Sequence, residues 1–183
     1  MPRYVAFLRA INVGGHTVKM DALRQHFETL KFKYVETLIA SGNVIFESNA
    51  GDASTLARRI EKHLYETLGY EVGTFIRRSD ELLKVAAHKP FKGADMSASG
   101  NSIYVAFIDE PIGADAMRKL KPHATAWDEF QVMEREVYWL CRRKKMSESK
   151  FSGAVLEKTL QRPATLRNMT TIRKIAAKFA SQP

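Results

Sequence analysis

Arg9, Asn12, Gly14 and Gly15 fall within one short stretch, Arg9-Ala10-Ile11-Asn12-Val13-Gly14-Gly15-His16. A guanidinium, a short amide and paired glycines suit the holding of an anion. The arginine offers a planar fork of donors. The glycines reach backbone conformations closed to other residues and let a ligand approach the main chain. The same residues also suit a plain tight turn with an ion-paired arginine. A second polar turn, Ser41-Gly42-Asn43, adds a hydroxyl and an amide, and a third stretch, Thr165-Leu166-Arg167-Asn168-Met169-Thr170-Thr171, sets Arg167, Asn168 and Thr170 at the expected start of the last helix. A helix start presents unpaired N–H groups and a partial positive charge, which favour phosphate or carboxylate. The sequence leaves open whether the three turns meet in one pocket or only cap helices and tie the chain together.

Other chemistries find less support. The five histidines, His16, His26, His63, His88 and His123, are scattered and show no metal-ligand spacing, so no metal and no cofactor is expected. Ser41 lacks the first glycine of a nucleophile elbow. Ser147-Glu148-Ser149-Lys150 matches only a short Ser-x-x-Lys string inside a basic linker. The Gly14-Gly15 turn has neither the third glycine of a dinucleotide loop nor the lysine of a P-loop. His16 beside the glycines has the right ordinary pKa for acid–base work, and an exposed turn histidine is the plainer reading.

The elements that must position these residues follow from periodicity. Tyr4-Val5-Ala6-Phe7-Leu8 reads as a buried strand that delivers Arg9 into the glycine turn. A helix follows over about 19–30, with Met20, Leu23, Phe27 and Leu30 on one face. Strands are expected over about 34–40 and 44–47, joined by the turn at Ser41-Gly42-Asn43. A second helix runs to about Leu68, capped from the Gly51–Ser54 turn and stopped by Gly69. A fourth strand spans about 71–77. The order β-α-β-β-α-β is the split βαβ, or ferredoxin-like, arrangement.

A third helix opens at Ser79, and 91–100 reads as a boundary between lobes. Tyr104-Val105-Ala106-Phe107-Ile108 then echoes Tyr4-Val5-Ala6-Phe7-Leu8 one hundred residues on. A short helix near 113–120 and two strands, about 129–133 and 135–141, repeat β-α-β-β without an obvious fourth strand. Short and final helices are expected over about 153–160 and 170–180, the latter burying Ile172, Ile175, Ala176, Phe179 and Ala180 and capped by Asn168 or Thr170. The expected fold is α+β: two ferredoxin-like lobes in tandem, 1–90 with its connecting helix and 101–141, and a basic helical C-terminal tail, 142–183, packed on them.

Composition sets the partners. Of 183 residues, 45% are hydrophobic and 27% charged, ordinary for a globular chain. No apolar run approaches a membrane span and no signal peptide is evident. Cys141 is the single cysteine, so no intrachain disulfide forms and a cytoplasmic setting is expected, with Cys141 a packed thiol. The net charge is +9. Residues 142–183 carry 11 Lys+Arg against 2 Asp+Glu, which accounts for the whole excess. Such a segment would attract an anionic ligand or a nucleic acid backbone, or serve as a solvated face.

Three stretches, Arg9-Ala10-Ile11-Asn12-Val13-Gly14-Gly15, Ile39-Ala40-Ser41-Gly42-Asn43-Val44-Ile45-Phe46 and Thr165-Leu166-Arg167-Asn168-Met169-Thr170-Thr171, resemble the bacterial proteins catalogued as domain of unknown function 1697. The resemblance implies an α+β fold with ferredoxin-like character and carries no established activity. The family pattern has a tryptophan where Met169 stands, so any stacking contact by that aromatic is missing here. The leading expectation is binding of a phosphate-bearing ligand, a nucleotide or a nucleic acid backbone, by Arg9, Asn12, Gly14, Gly15, Ser41, Asn43, Arg167, Asn168 and Thr170. The alternatives are a small enzyme using the same pocket, with His16 or Ser41 in its chemistry, and a protein-interaction module. RNA recognition on the sheet face is disfavoured, because Gly42-Asn43-Val44-Ile45-Phe46 lacks the basic residue and aromatic spacing it requires.

Overall fold

The computed structural model describes residues 1–38, 42–49, 51–92, 100–142 and 145–180. The fold is mixed α+β, with two four-stranded antiparallel sheets and, among the described residues, six α-helices. The chain divides into two compact units. One is residues 1–84 together with the chain from Ile175 onward, and the other is Val85–Lys174.

The first unit contains β1 (Arg3–Arg9), α1 (Met20–Thr29), β2 (Lys33–Leu38), β3 (Asn43–Glu47), α2 (Ala53–Leu68) and β4 (Gly73–Arg78). Its sheet has the order β2-β3-β1-β4. Alternation sorts the strand residues by face. Tyr4, Ala6 and Leu8 of β1, Val44 and Phe46 of β3 and Ile76 of β4 join one core with Leu23 and Phe27 of α1 and Leu56, Ile60 and Leu64 of α2. The helix ends follow the turn chemistry of the sequence. Asp52 accepts from the Thr55 N–H at 2.8 Å, which caps α2. Gly69 ends it in the left-handed region at φ 80°, its N–H on the Tyr65 carbonyl.

The helix α3 (Ser79–Ala87) carries the chain across the division between the units. The second unit then holds β5 (Ser102–Phe107), α4 (Asp115–Leu120), β6 (Asp128–Met133), β7 (Glu136–Cys141), α5 (Gly153–Leu160) and β8 (Thr165–Asn168). Its sheet has the order β6-β7-β5-β8, so it repeats the first element by element. Tyr104, Ala106, Val137, Trp139 and Leu120 pack with Leu156, Leu160 and Phe151 on one face, and Cys141 is buried among them.

The repeat extends to register: Arg77 lies opposite Val5, and Arg167 lies opposite Val105. Here the structure corrects the sequence reading in two respects. Thr165–Asn168 is the fourth strand that the second repeat was expected to lack, antiparallel to β5, rather than the start of the last helix. Residues 145–168 therefore complete the second sheet and its helical layer, and the chain beyond 141 is not a separate tail. Four residues are too few to show strand alternation, and Pro163 upstream biases the approach toward extended backbone.

The last helix, α6 (Met169–Ala180), buries Ile172, Ile175, Ala176 and Phe179 as the spacing requires, while Ala180, the last residue of the expected face, is exposed at the helix end. Within the first unit, the Arg3 guanidinium lies over the Phe179 ring at 4.9 Å and Lys178 pairs with Glu36 at 2.6 Å.

Candidate functional site at the loop end of the first sheet

Beyond Arg9 the chain turns sharply, with Ala10 in the left-handed region at φ 65°. Ile11 is buried and acts as an anchor: the Tyr70 hydroxyl donates to its carbonyl at 2.8 Å. The Val13–His16 turn closes with the His16 N–H on the Val13 carbonyl at 3.1 Å, with Gly14 and Gly15 at φ 64° and 85°. Two successive positive φ values explain the paired glycines, since L side chains are strained at either position. The His16 ring stacks on Tyr70, centroids 4.0 Å apart, and the Asn12 side-chain oxygen accepts from the Val18 N–H at 2.7 Å. The Asn12 bond draws the loop back to the start of α1, whose first turn has no side-chain cap.

The second motif joins the first at this end of the sheet. The Leu8 N–H donates to the Gly42 carbonyl at 2.8 Å. A Cβ on Gly42 would stand 2.7 Å from Ile11 Cγ2 and 3.0 Å from Leu8 Cβ, and its φ is 76°. Only glycine fits there, so the Ile11 loop and the Gly42 turn are packed as one body. Asn43 is buried, and its amide donates to the Leu38 carbonyl at 2.9 Å. Arg9 is exposed at the rim of this surface, opposite Gly73 in register. Ser41 lies outside the described residues.

Arg167, Asn168 and Thr170 belong to the second unit. Arg167 is only 7% exposed and donates to the Thr165 hydroxyl and the Leu166 carbonyl, both at 2.8 Å. Burial lowers its pKa to about 10, which still leaves it charged at neutral pH. Its repeat partner Arg77 is buried as well and donates to the carbonyl of its own preceding residue, Ile76, at 2.9 Å. The Asn168 side chain accepts from the Thr170 N–H at 2.8 Å and so caps α6, as one of the two residues expected to do so. Met169 is buried.

Two groupings escaped the sequence reading. Asp128 is 3% exposed and accepts from the Thr125 hydroxyl (3.0 Å), the Trp139 indole N–H (3.0 Å) and the Ser149 hydroxyl (2.8 Å). Itself buried, it ties β6, β7 and the segment beyond β7 together. His26 on α1 and His63 on α2 approach to 3.3 Å, nitrogen to nitrogen. Burial, and then the neighbouring His63, hold the His26 pKa below the ordinary histidine value. Neither grouping is marked by local spacing: apart from Thr125, three residues before Asp128, the partners are 11 to 37 residues apart.

Among the described residues, no group of three or more His, Cys, Asp or Glu is arranged to hold a metal ion, and no helix is long and apolar enough to cross a membrane. The basic excess of the C-terminal segment is partly matched within each unit: Arg142 pairs with Glu129 at 2.6 Å, Arg162 with Glu110 at 2.9 Å and Lys178 with Glu36.

The solved structure of the conserved bacterial protein SP0830 from Streptococcus pneumoniae is similar to this chain, with a TM-score of 0.69 and 21% identity over 99% of both chains. At that identity the likeness concerns the fold. No curated protein matches the sequence. A family model described as "Protein of unknown function (DUF1697)" matches residues 1–138, which take in the first two motifs and end before the third. The Arg9–Gly15 loop and the Gly42 turn packed against it are thus features of a chain that belongs to the DUF1697 family.

Proposed function

We propose that the loop end of the first sheet binds an anionic, phosphate-bearing ligand, and that both units are ferredoxin-like, split βαβ folds. What supports the fold reading is the β-α-β-β-α-β order with the central placing of β1 and β3, and of β5 and β7. The observation that carries the functional reading is the packing of Gly42 onto Leu8 and Ile11. It joins two polar glycine turns into one fixed surface with Arg9 on its rim. In this reading Arg9 supplies the charge, and Gly14 and Gly15 supply backbone approach, since a Cβ on Gly15 would meet nothing within 4 Å. The uncapped first turn of α1 adds N–H groups and a partial positive charge. Asn12 and Asn43 act one step back, holding the loops in place through Val18 and Leu38. Arg167, Asn168 and Thr170 serve the second unit's own architecture. The single, buried Cys141 supports a reducing, cytoplasmic setting.

The test is an amide NMR titration of the full chain with inorganic phosphate and with a nucleoside triphosphate. The amides of Gly14 and Gly15 should shift in a saturable way, and Arg9→Met should weaken the effect at least several-fold. Shifts spread over the lysines with no saturation at these glycines would contradict the assignment.

A further inference from the structure

We propose that His26 and His63 form a two-histidine site for a divalent late transition metal of the Zn2+, Ni2+ or Cu2+ class. His26 Nδ1 stands 3.3 Å from His63 Nε2. The ring planes cross at 66° with centroids 5.3 Å apart, so the rings meet nitrogen to nitrogen instead of face to face. Two imidazole nitrogens bound to one tetrahedral metal at about 2.0–2.1 Å lie roughly 3.3–3.4 Å from each other. The pair therefore already has the spacing of two ligands, without movement of either helix.

The helices hold that spacing. His26 stands beside the buried Phe27 on α1, and His63 beside the buried Leu64 on α2, so core packing fixes both backbones. Both rings are half-buried and keep a solvent side for the water ligands that complete the coordination. The metal-free pair shares one proton, one nitrogen donating to the other. Metal binding needs both lone pairs, and the donating ring provides its own by moving the proton to its second nitrogen. From the neutral pair, no net proton is released. Imidazole selects the later first-row metals over Mg2+ and Ca2+, which take oxygen ligands. On the same helices Arg24 pairs with Glu28 and Lys62 with Glu66, while Arg59, one turn from His63, donates to the Leu30 carbonyl.

The experiment titrates the full chain with zinc or nickel sulfate, with magnesium sulfate as control, and follows heat of binding and thermal melting. The parent should take up a single equivalent of Zn2+ or Ni2+ and melt higher with it. His26→Gln and His63→Gln should each bind on the order of a hundredfold more weakly, because a two-point attachment becomes a one-point attachment. His88→Gln, whose ring lies against Tyr138 instead, should bind as the parent does. A second reading needs no variant: Cu2+ added in small amounts should broaden the ring-proton NMR signals of His26 and His63 first. Absence of uptake by the parent, equal uptake by both glutamine variants, or broadening that begins at other histidines would each overturn the proposal. The pair would then be only a hydrogen-bonded contact between α1 and α2.

Discussion

Gly42 shows how a single residue fixes the geometry of the candidate site. Its φ of 76° and the 2.7 Å approach of Ile11 Cγ2 to an added Cβ both exclude a side chain. Gly42→Ala should cost about 1–3 kcal/mol in urea unfolding from backbone strain alone, with the clash adding to it. A neutral substitution would mean that the Ile11 loop yields readily and that the two turns are not one body. Asp128 supports the second unit in a comparable way. Its removal by Asp128→Ala would orphan the buried Trp139 indole N–H, worth about 1–3 kcal/mol when left unsatisfied, while the exposed Thr125 and half-buried Ser149 hydroxyls turn to water. The same unfolding measurement should find a destabilisation of about 1–3 kcal/mol, and an effect within about 0.5 kcal/mol, the usual range at a surface, would show that the network contributes little. Gly42 was legible in the sequence as a turn residue, but its partner Ile11 was not, since nothing local in a sequence specifies an approach between residues so far apart along the chain. Asp128 was invisible for the same reason: a lone acid at the head of a strand carries no period.

At the scale of elements, the sequence was most informative where apolar periodicity ran long. Leu23 and Phe27 of α1, Leu56, Ile60 and Leu64 of α2 and Ile172, Ile175, Ala176 and Phe179 of α6 are buried where their spacing places them, while Met20 and Ala180, at the ends of α1 and α6, are exposed, and the Asp52 and Gly69 caps lie where turn chemistry requires. It was least informative at β8, whose four residues follow Pro163 and precede a well-capped helix. Arg167 shared that misplacement: a residue expected to present its guanidinium at a helix start sits on a strand, buried and bonded to Thr165 and Leu166. Ile172 and Ile175 of α6 are fully buried, with Ala176 and Phe179 nearly so. Ile175→Ala should therefore cost about 2–5 kcal/mol. A change below about 1 kcal/mol, the usual range at a surface, would show α6 to be loosely attached.

For the molecule as a whole, the hundred-residue echo between Tyr4-Val5-Ala6-Phe7 and Tyr104-Val105-Ala106-Phe107 marked a duplication that both sheets follow, down to the paired positions of Arg77 and Arg167. The charge asymmetry was also readable, but its disposition was not, because ion pairs such as Arg162–Glu110 join residues 52 positions apart. If the exposed lysines of the C-terminal segment bind nucleic acid, Lys145→Glu and Lys150→Glu together should make the log–log salt dependence shallower, by about 0.7–0.9 for each phosphate that is no longer neutralised. An unchanged slope would remove that segment from any such interface. The central claim is that the surface formed by Arg9, the Gly14-Gly15 turn and Gly42 holds an anion. Its most direct test is a thermal melt of the parent and Arg9→Met, each with and without phosphate at matched ionic strength. Phosphate should raise the melting temperature of the parent by mass action, and Arg9→Met should lack most of that gain while melting near the parent when phosphate is omitted. Phosphate-independent melting of the parent, with marked destabilisation in Arg9→Met, would contradict the account and make Arg9 a structural residue.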